Sequence, residues 1–182
     1  DLVIEAATEI VVVLTDGRRL EAEVVGVDPG TDIALLEIEA ERLSALPLGN
    51  SDALLVGDFV IALGNPFGLG QTVTSGIVSA LGRSGINPDG YEDFIQTDAS
   101  NKPGNSGGAL VTLDGNLVGI NTAIIAPTGG IVGFGFAVPI NMASEVVAQL
   151  VQFGEVRRGR LGVMIQDLTP ELSEALEIDA MS

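Results

Sequence analysis

The sequence predicts an all-β fold, a barrel or sandwich of short antiparallel strands. Three observations lead there. Short apolar stretches recur throughout residues 10–138. Turn-forming clusters separate them: Asp16-Gly17, Asp28-Pro29-Gly30, Gly64-Asn65-Pro66, Asn87-Pro88-Asp89-Gly90, Asp114-Gly115 and Thr128-Gly129-Gly130. Helical patterning is confined to two stretches after residue 140.

Ile10–Leu14 is an unbroken apolar run that ends at Asp16-Gly17. Leu20–Val27 partly alternates, with Glu21 and Glu23 expected outward and Ala22 and Val24 inward, so the two stretches read as a hairpin. Ile33–Ile38 is the next strand after the turn at Asp28. Further strands are expected at Phe59–Leu63, Thr72–Leu81, Asp93–Gln96, Gly108–Leu113, Leu117–Ala123 and Ile131–Val138. Asn141 can cap a helix running from Met142 to Phe153, with Met142, Val146, Leu150 and Phe153 on one face and Gly154 as its stop. A second helix is expected from Thr169-Pro170 through Leu176, because proline suits the first helical position. Between them, Arg157-Arg158-Gly159-Arg160 holds three of the eight basic residues and reads as a solvated hinge.

Composition excludes several functions. The chain has 182 residues, 46% of them hydrophobic, enough for a real interior. With 25 acidic residues against 8 basic, its net charge is −17. Phosphate contact needs clustered Lys and Arg, so nucleic acid is an unsuitable partner, and anionic membrane surfaces would repel the chain. No apolar run is long enough for a membrane span. Cysteine and histidine are both absent, which argues against structural zinc, iron–sulfur and thiol chemistry.

The stretch most informative about chemistry is Asp98-Ala99-Ser100-Asn101-Lys102-Pro103-Gly104-Asn105-Ser106-Gly107-Gly108. Ser106 sits in a glycine-lined turn just before an apolar strand. Acyl transfer needs a nucleophilic oxygen clear of the backbone and amide N–H groups aimed at the developing oxyanion. A glycine two residues before the serine, with the serine's own N–H, has the spacing of an oxyanion hole in Ser-His-Asp acyl transfer. On its own the string also fits a plain glycine-rich hairpin. It differs from the Gly-x-Ser-x-Gly elbow, which sits on a strand-to-helix turn.

Further blocks supply context: Thr31-Asp32-Ile33-Ala34-Leu35-Leu36, Ala62-Leu63-Gly64-Asn65-Pro66-Phe67-Gly68, Thr74-Ser75-Gly76-Ile77-Val78-Ser79, Phe94-Ile95-Gln96-Thr97-Asp98-Ala99 and Gly119-Ile120-Asn121-Thr122. In this order they resemble the HtrA family of trypsin-like serine proteases, from residue 1 to about 158. The resemblance implies a double antiparallel β-barrel with the active site between the barrels, the first barrel here incomplete. It places Ser106 as nucleophile and Asp32 as the acid that orients a histidine. Gly104, Asn105 and Ser106 take the oxyanion-hole positions, and Asn101, Ile124 and Ile125 the specificity pocket. Gln71–Arg83 resembles a regulatory loop region. It further implies a periplasmic endopeptidase with chaperone activity, acting on unfolded or misfolded polypeptides as a trimer or multiples of one, with no metal or organic cofactor. Residues 159–182 form a linker and, from Arg160-Leu161-Gly162-Val163-Met164, resemble the start of a PDZ domain.

The chain departs from that family in three ways. The family's histidine lies in an Asn-His-Val-Val/Ile block, and Leu2-Val3-Ile4 aligns with its end. Either Leu2 stands at the histidine position or the chain begins beside it. Asn101 and Lys102 replace the usual apolar residue and asparagine, making one wall of the specificity pocket polar. Lys102 as a substitute base would need its amine desolvated. Without a base Ser106 is a weak nucleophile, so the chain alone is expected to be inactive, and a binding-only pseudoprotease is the alternative.

Overall fold

A computed structural model describes residues 3–5, 7–65, 70–86, 90–100, 104–122 and 134–159, together with 162, 172 and 173. Nine strands, a 3-10 turn at Ser51–Ala53 and a 14-residue helix occur among them: β1 (Val11–Val13), β2 (Arg19–Asp28), β3 (Ile33–Ile38), β4 (Phe59–Gly64), β5 (Thr72–Arg83), β6 (Phe94–Thr97), β7 (Ala109–Thr112), β8 (Leu117–Thr122), β9 (Gly135–Pro139) and α1 (Ile140–Phe153). β4 to β9 close into a six-stranded barrel in the order β4-β5-β6-β9-β8-β7, all pairs antiparallel. β1, β2 and β3 form a separate three-stranded antiparallel sheet that stays open. One closed barrel and one partial sheet match the expected double-barrel plan with an incomplete first half.

The alternation of strand side chains builds two cores at once. Val60, Ala62, Val78, Ile95, Leu110, Val118 and Ala137 fill the barrel interior. Val138, one residue on from Ala137, points the other way and joins Ile33 of β3 with Ile140, Ala143, Val146 and Leu150 of α1. The helix therefore ties the open sheet to the outside of the barrel. Gly26 permits this approach, because a Cβ there would lie 3.0 Å from Leu150 Cδ2.

Two local expectations change. Val24 was expected inward, yet it is 48% exposed. A register shift follows Val24, with Val25 an extra residue in β2; Val24 and Val25 are both exposed at this bulge, while Gly26 and Asp28 keep the inward side of Leu20 and Ala22. The helix begins at Ile140 with Pro139 as its cap, not at Asn141. The Asn141 side chain bridges elsewhere, accepting from Ser51 N–H at 3.3 Å and donating to Asn50 Oδ1 at 2.7 Å. Gly154 does stop the helix, left-handed at φ 72°, with its N–H on the Leu150 carbonyl at 2.9 Å. The second expected helix lies outside the described residues apart from Leu172 and Ser173, and the expected PDZ start lies outside them apart from Gly162.

Candidate active site

Ser106 lies in the turn that feeds β7. Gly104 and Gly107 hold φ of 98° and 81°, backbone states that glycine adopts without the penalty a side chain brings. β8 pins the turn from one side: Gly107 N–H donates to the Asn121 carbonyl and Asn121 N–H to the Gly108 carbonyl, both at 2.8 Å. The Asn121 side chain adds bonds to the carbonyls of Leu63 and Ala109, each 3.1 Å, stitching β4 and β7 together beneath Ser106. Just after β4, Asn65 N–H reaches the Gly104 carbonyl at 3.4 Å.

Asn105 is turned inward and only 1% exposed. Its backbone carbonyl accepts from Gly108 N–H at 2.9 Å, and its Nδ2 donates to the Ser100 carbonyl at 3.4 Å. Its Oδ1 is buried without a hydrogen-bond partner. Any side chain at Gly64 would overlap Asn105, so that glycine is required by close approach.

Asp32 occupies the last position of the turn between β2 and β3 and has a left-handed φ of 59°. Such a conformation in a residue with a side chain costs energy and persists where surroundings enforce it. Here they do. Thr122 Oγ1, at the end of β8, donates to Asp32 Oδ2 at 2.9 Å. Thr31 Oγ1 donates to Asp28 Oδ2 at 2.5 Å, and Arg158 grips the same carboxylate through Nη1 at 2.7 Å and Nη2 at 2.5 Å. Tyr91 N–H closes the turn on the Gly30 carbonyl at 2.7 Å, and its ring lies 4.1 Å from the Arg158 guanidinium carbon. Arg158's hydrogen bonds hold the Asp28 carboxyl below its ordinary range, with Thr31 adding to the effect against the opposing pull of burial. The arginine cluster is thus not uniformly a solvated hinge: Arg158 is a half-buried partner of a buried acid.

The turns bearing Asp32 and Ser106 come from opposite ends of the chain's described core and face the same cavity, about 690 Å³. Val3 and Ile4 also line it, with an apolar floor of Ile33, Ile120, Val138 and Val147. A second cavity of about 580 Å³ opens on Ser106 and Gly104 and is lined by Val13, Leu46, Leu63 and Gln71. Of the expected residues, Ser106 and Asp32 thus share one cavity and Ser106 and Gly104 the other, while Asn105 is buried and lines neither. Asn101, Ile124 and Ile125, with Leu2 and Lys102, lie outside the described residues. In the sequence Thr122 is only the end of the Gly119–Thr122 block; its contact with Asp32 spans 90 positions and leaves no local signal.

Among the described residues, no group of three or more acidic side chains is placed to hold a metal ion, and no helix is long and apolar enough to cross a membrane. The arrangement offers a hydroxyl on a glycine turn and a carboxylate held by a hydroxyl donor, with apolar space beside both.

Residues 2–120 match the trypsin-like peptidase domain family. The periplasmic serine endoprotease DegP of Escherichia coli (strain K12) is 57% identical over 179 residues, covering 98% of this chain and 38% of that protein. The periplasmic pH-dependent serine endoprotease DegQ of the same organism is 54% identical over 178 residues, covering 97% of this chain and 39% of its own length. The HtrA-type protease AlgW solved with a tripeptide superposes with a TM-score of 0.91 at 53% identity, covering 98% of this chain and 59% of that one. The chain thus spans less than two thirds of the length of these relatives. It belongs to the trypsin-like peptidases, and among them to the HtrA type.

Proposed function

We propose that the chain is the proteolytic body of a periplasmic serine endopeptidase that degrades unfolded or misfolded polypeptides and also holds them as a chaperone. The observation that carries this reading is that Asp32 and Ser106 line one cavity. In the proposed reaction Ser106 Oγ attacks the scissile carbonyl carbon and its proton passes to a general base oriented by Asp32. The N–H groups of Gly104 and Ser106 receive the oxyanion, and collapse of the tetrahedral intermediate releases the amine product as it takes that proton. Water then hydrolyses the acyl-enzyme. Asn101, Ile124 and Ile125 would shape the pocket for the residue before the cut. The AlgW structures solved with a tripeptide and a decapeptide support a peptide as the ligand. Assembly as a trimer or its multiples belongs to the same proposal.

The base is the missing part. Residues 1–182 contain no histidine, and removing it from a triad lowers turnover on the order of 10⁶-fold in a subtilisin. The chain alone is therefore expected to be inactive, with the base supplied from outside these residues. The same absence favours one other reading, a pseudoprotease that binds polypeptides without cutting them.

Intact mass of the native protein, followed by fluorophosphonate labelling, separates the two. On the protease reading the native protein carries a histidine beyond this sequence and labels at Ser106, the 182-residue chain labels negligibly, and Ser106→Ala abolishes labelling. A native protein without histidine that stays unlabelled would establish the pseudoprotease instead.

A further inference from the structure

β5 grips the segment leading from β6 into the Ser106 turn at three points. Gly76 lies so close to Asp98 and Ala99 that any side chain there would overlap them. Asp98 Oδ1 accepts from Ile77 N–H at 2.7 Å. Thr74 Oγ1 donates to the Ser100 carbonyl at 3.0 Å. That same carbonyl receives Asn105 Nδ2 at 3.4 Å, so one oxygen joins β5 to the residue preceding Ser106.

We propose that Thr74 is a positioning residue for the nucleophile turn, acting through the Ser100 carbonyl and the Asn105 carboxamide. The proposal rests on Ser106 being the nucleophile. Asn105 is buried, and its Oδ1 has no partner, so its bond to Ser100 is what orients the carboxamide. Around the buried Asn105 carboxamide water does not readily replace a lost partner, whereas the Thr74–Ser100 bond itself is exposed. On its other flank, Asn105 packs against the bare backbone of Gly64, which limits movement without supplying a polar partner. The Thr74 hydroxyl is the second donor on Ser100. Removing it frees that carbonyl to turn away, leaves Asn105 Nδ2 unpaired, and loosens the peptide that carries the Ser106 N–H and Oγ. Thr74 lies opposite Ala62 in the β4–β5 pair, near the start of β5. The first half of β5 therefore sets the competence of a turn more than twenty-five positions away in sequence.

The test compares Thr74→Val, which removes the hydroxyl at nearly constant shape, with Thr74→Ser, which keeps it, in the full-length native protein. Three quantities are measured: the rate of Ser106 acylation by a fluorophosphonate, kcat and KM on a peptide, and exchange of the Gly107 and Gly108 amides. Thr74→Val is expected to lower acylation and kcat about fivefold, the size of one lost hydrogen bond, with KM and Tm little changed. Exchange at the two glycine amides should rise, and Thr74→Ser should behave as wild type. Wild-type acylation in Thr74→Val overturns the proposal, as does an equal loss in Thr74→Ser. If the wild type itself fails to react, the protease reading falls, while amide exchange still decides the positioning role. Faster exchange in Thr74→Val alone sustains it, and unchanged exchange overturns it.

Discussion

Asp28 is an acid only 4% exposed, and its partner comes from the arginine cluster that sequence alone suggests is solvated. Nothing local links positions 28 and 158; the fold brings the segment after α1 back to the β2–β3 turn. Because Arg158 holds the Asp28 carboxyl below its ordinary range, the pair stabilises the fold fully above the unfolded carboxylate value, about pH 4. That contribution is lost as pH falls through the lower folded value. Arg158→Ala should cost roughly 2–3 kcal/mol near neutral pH, since it strands a buried carboxylate. Its deficit against wild type should shrink in acid, as both proteins protonate Asp28. Urea unfolding at pH 7 and below pH 4 measures both effects; an equal deficit at both values would refute the linkage. The candidates Ser106, Gly104 and Asp32 stand out in the sequence because they sit in compact motifs. Thr122, Thr74 and the inward turn of Asn105 do not, because their partners lie in other strands.

Among the elements, strand positions were the most legible part of the fold. β3 occupies Ile33–Ile38 as expected, and β4 and β5 begin where their apolar runs begin. Period-two patterning and Asx-Gly turns mark such strands locally. The β2 bulge was not legible, since a run of valines does not mark which residue is extra. Helix α1 shows the same limit at one end. Gly154 marks its stop through the left-handed backbone it alone tolerates well. At its start Pro139 holds the cap position without a side-chain cap bond, while the Asn141 side chain is diverted to Asn50 and Ser51. Asn141→Ala should therefore leave helix content unchanged by circular dichroism, yet cost about 1 kcal/mol in denaturant unfolding by releasing the 50–53 turn. A loss of helix content would instead restore Asn141 as a cap.

The whole molecule is unevenly built. The barrel is closed and has no free edge, whereas the β1–β3 sheet is open and exposes Val11, Val13, Val24, Val25 and Val27. Open edges and thin apolar cover give low local stability. Amides of β1 to β3 should exchange earlier than those of β4, β8 and β9 in hydrogen-exchange mass spectrometry of the 182-residue chain. Uniform protection across both would show that the sheet draws its stability from the barrel. The sequence by itself determined the all-β class, the turn positions and the motifs around Ser106 and Asp32, since these depend on side-chain period and glycine geometry within a few residues. Only the tertiary structure decided that Thr122 holds Asp32, that Arg158 closes on Asp28, and that Ser100 links Thr74 to Asn105. Those contacts form when barrel closure and helix packing bring distant strands within hydrogen-bond reach, and that proximity leaves no period in the chain.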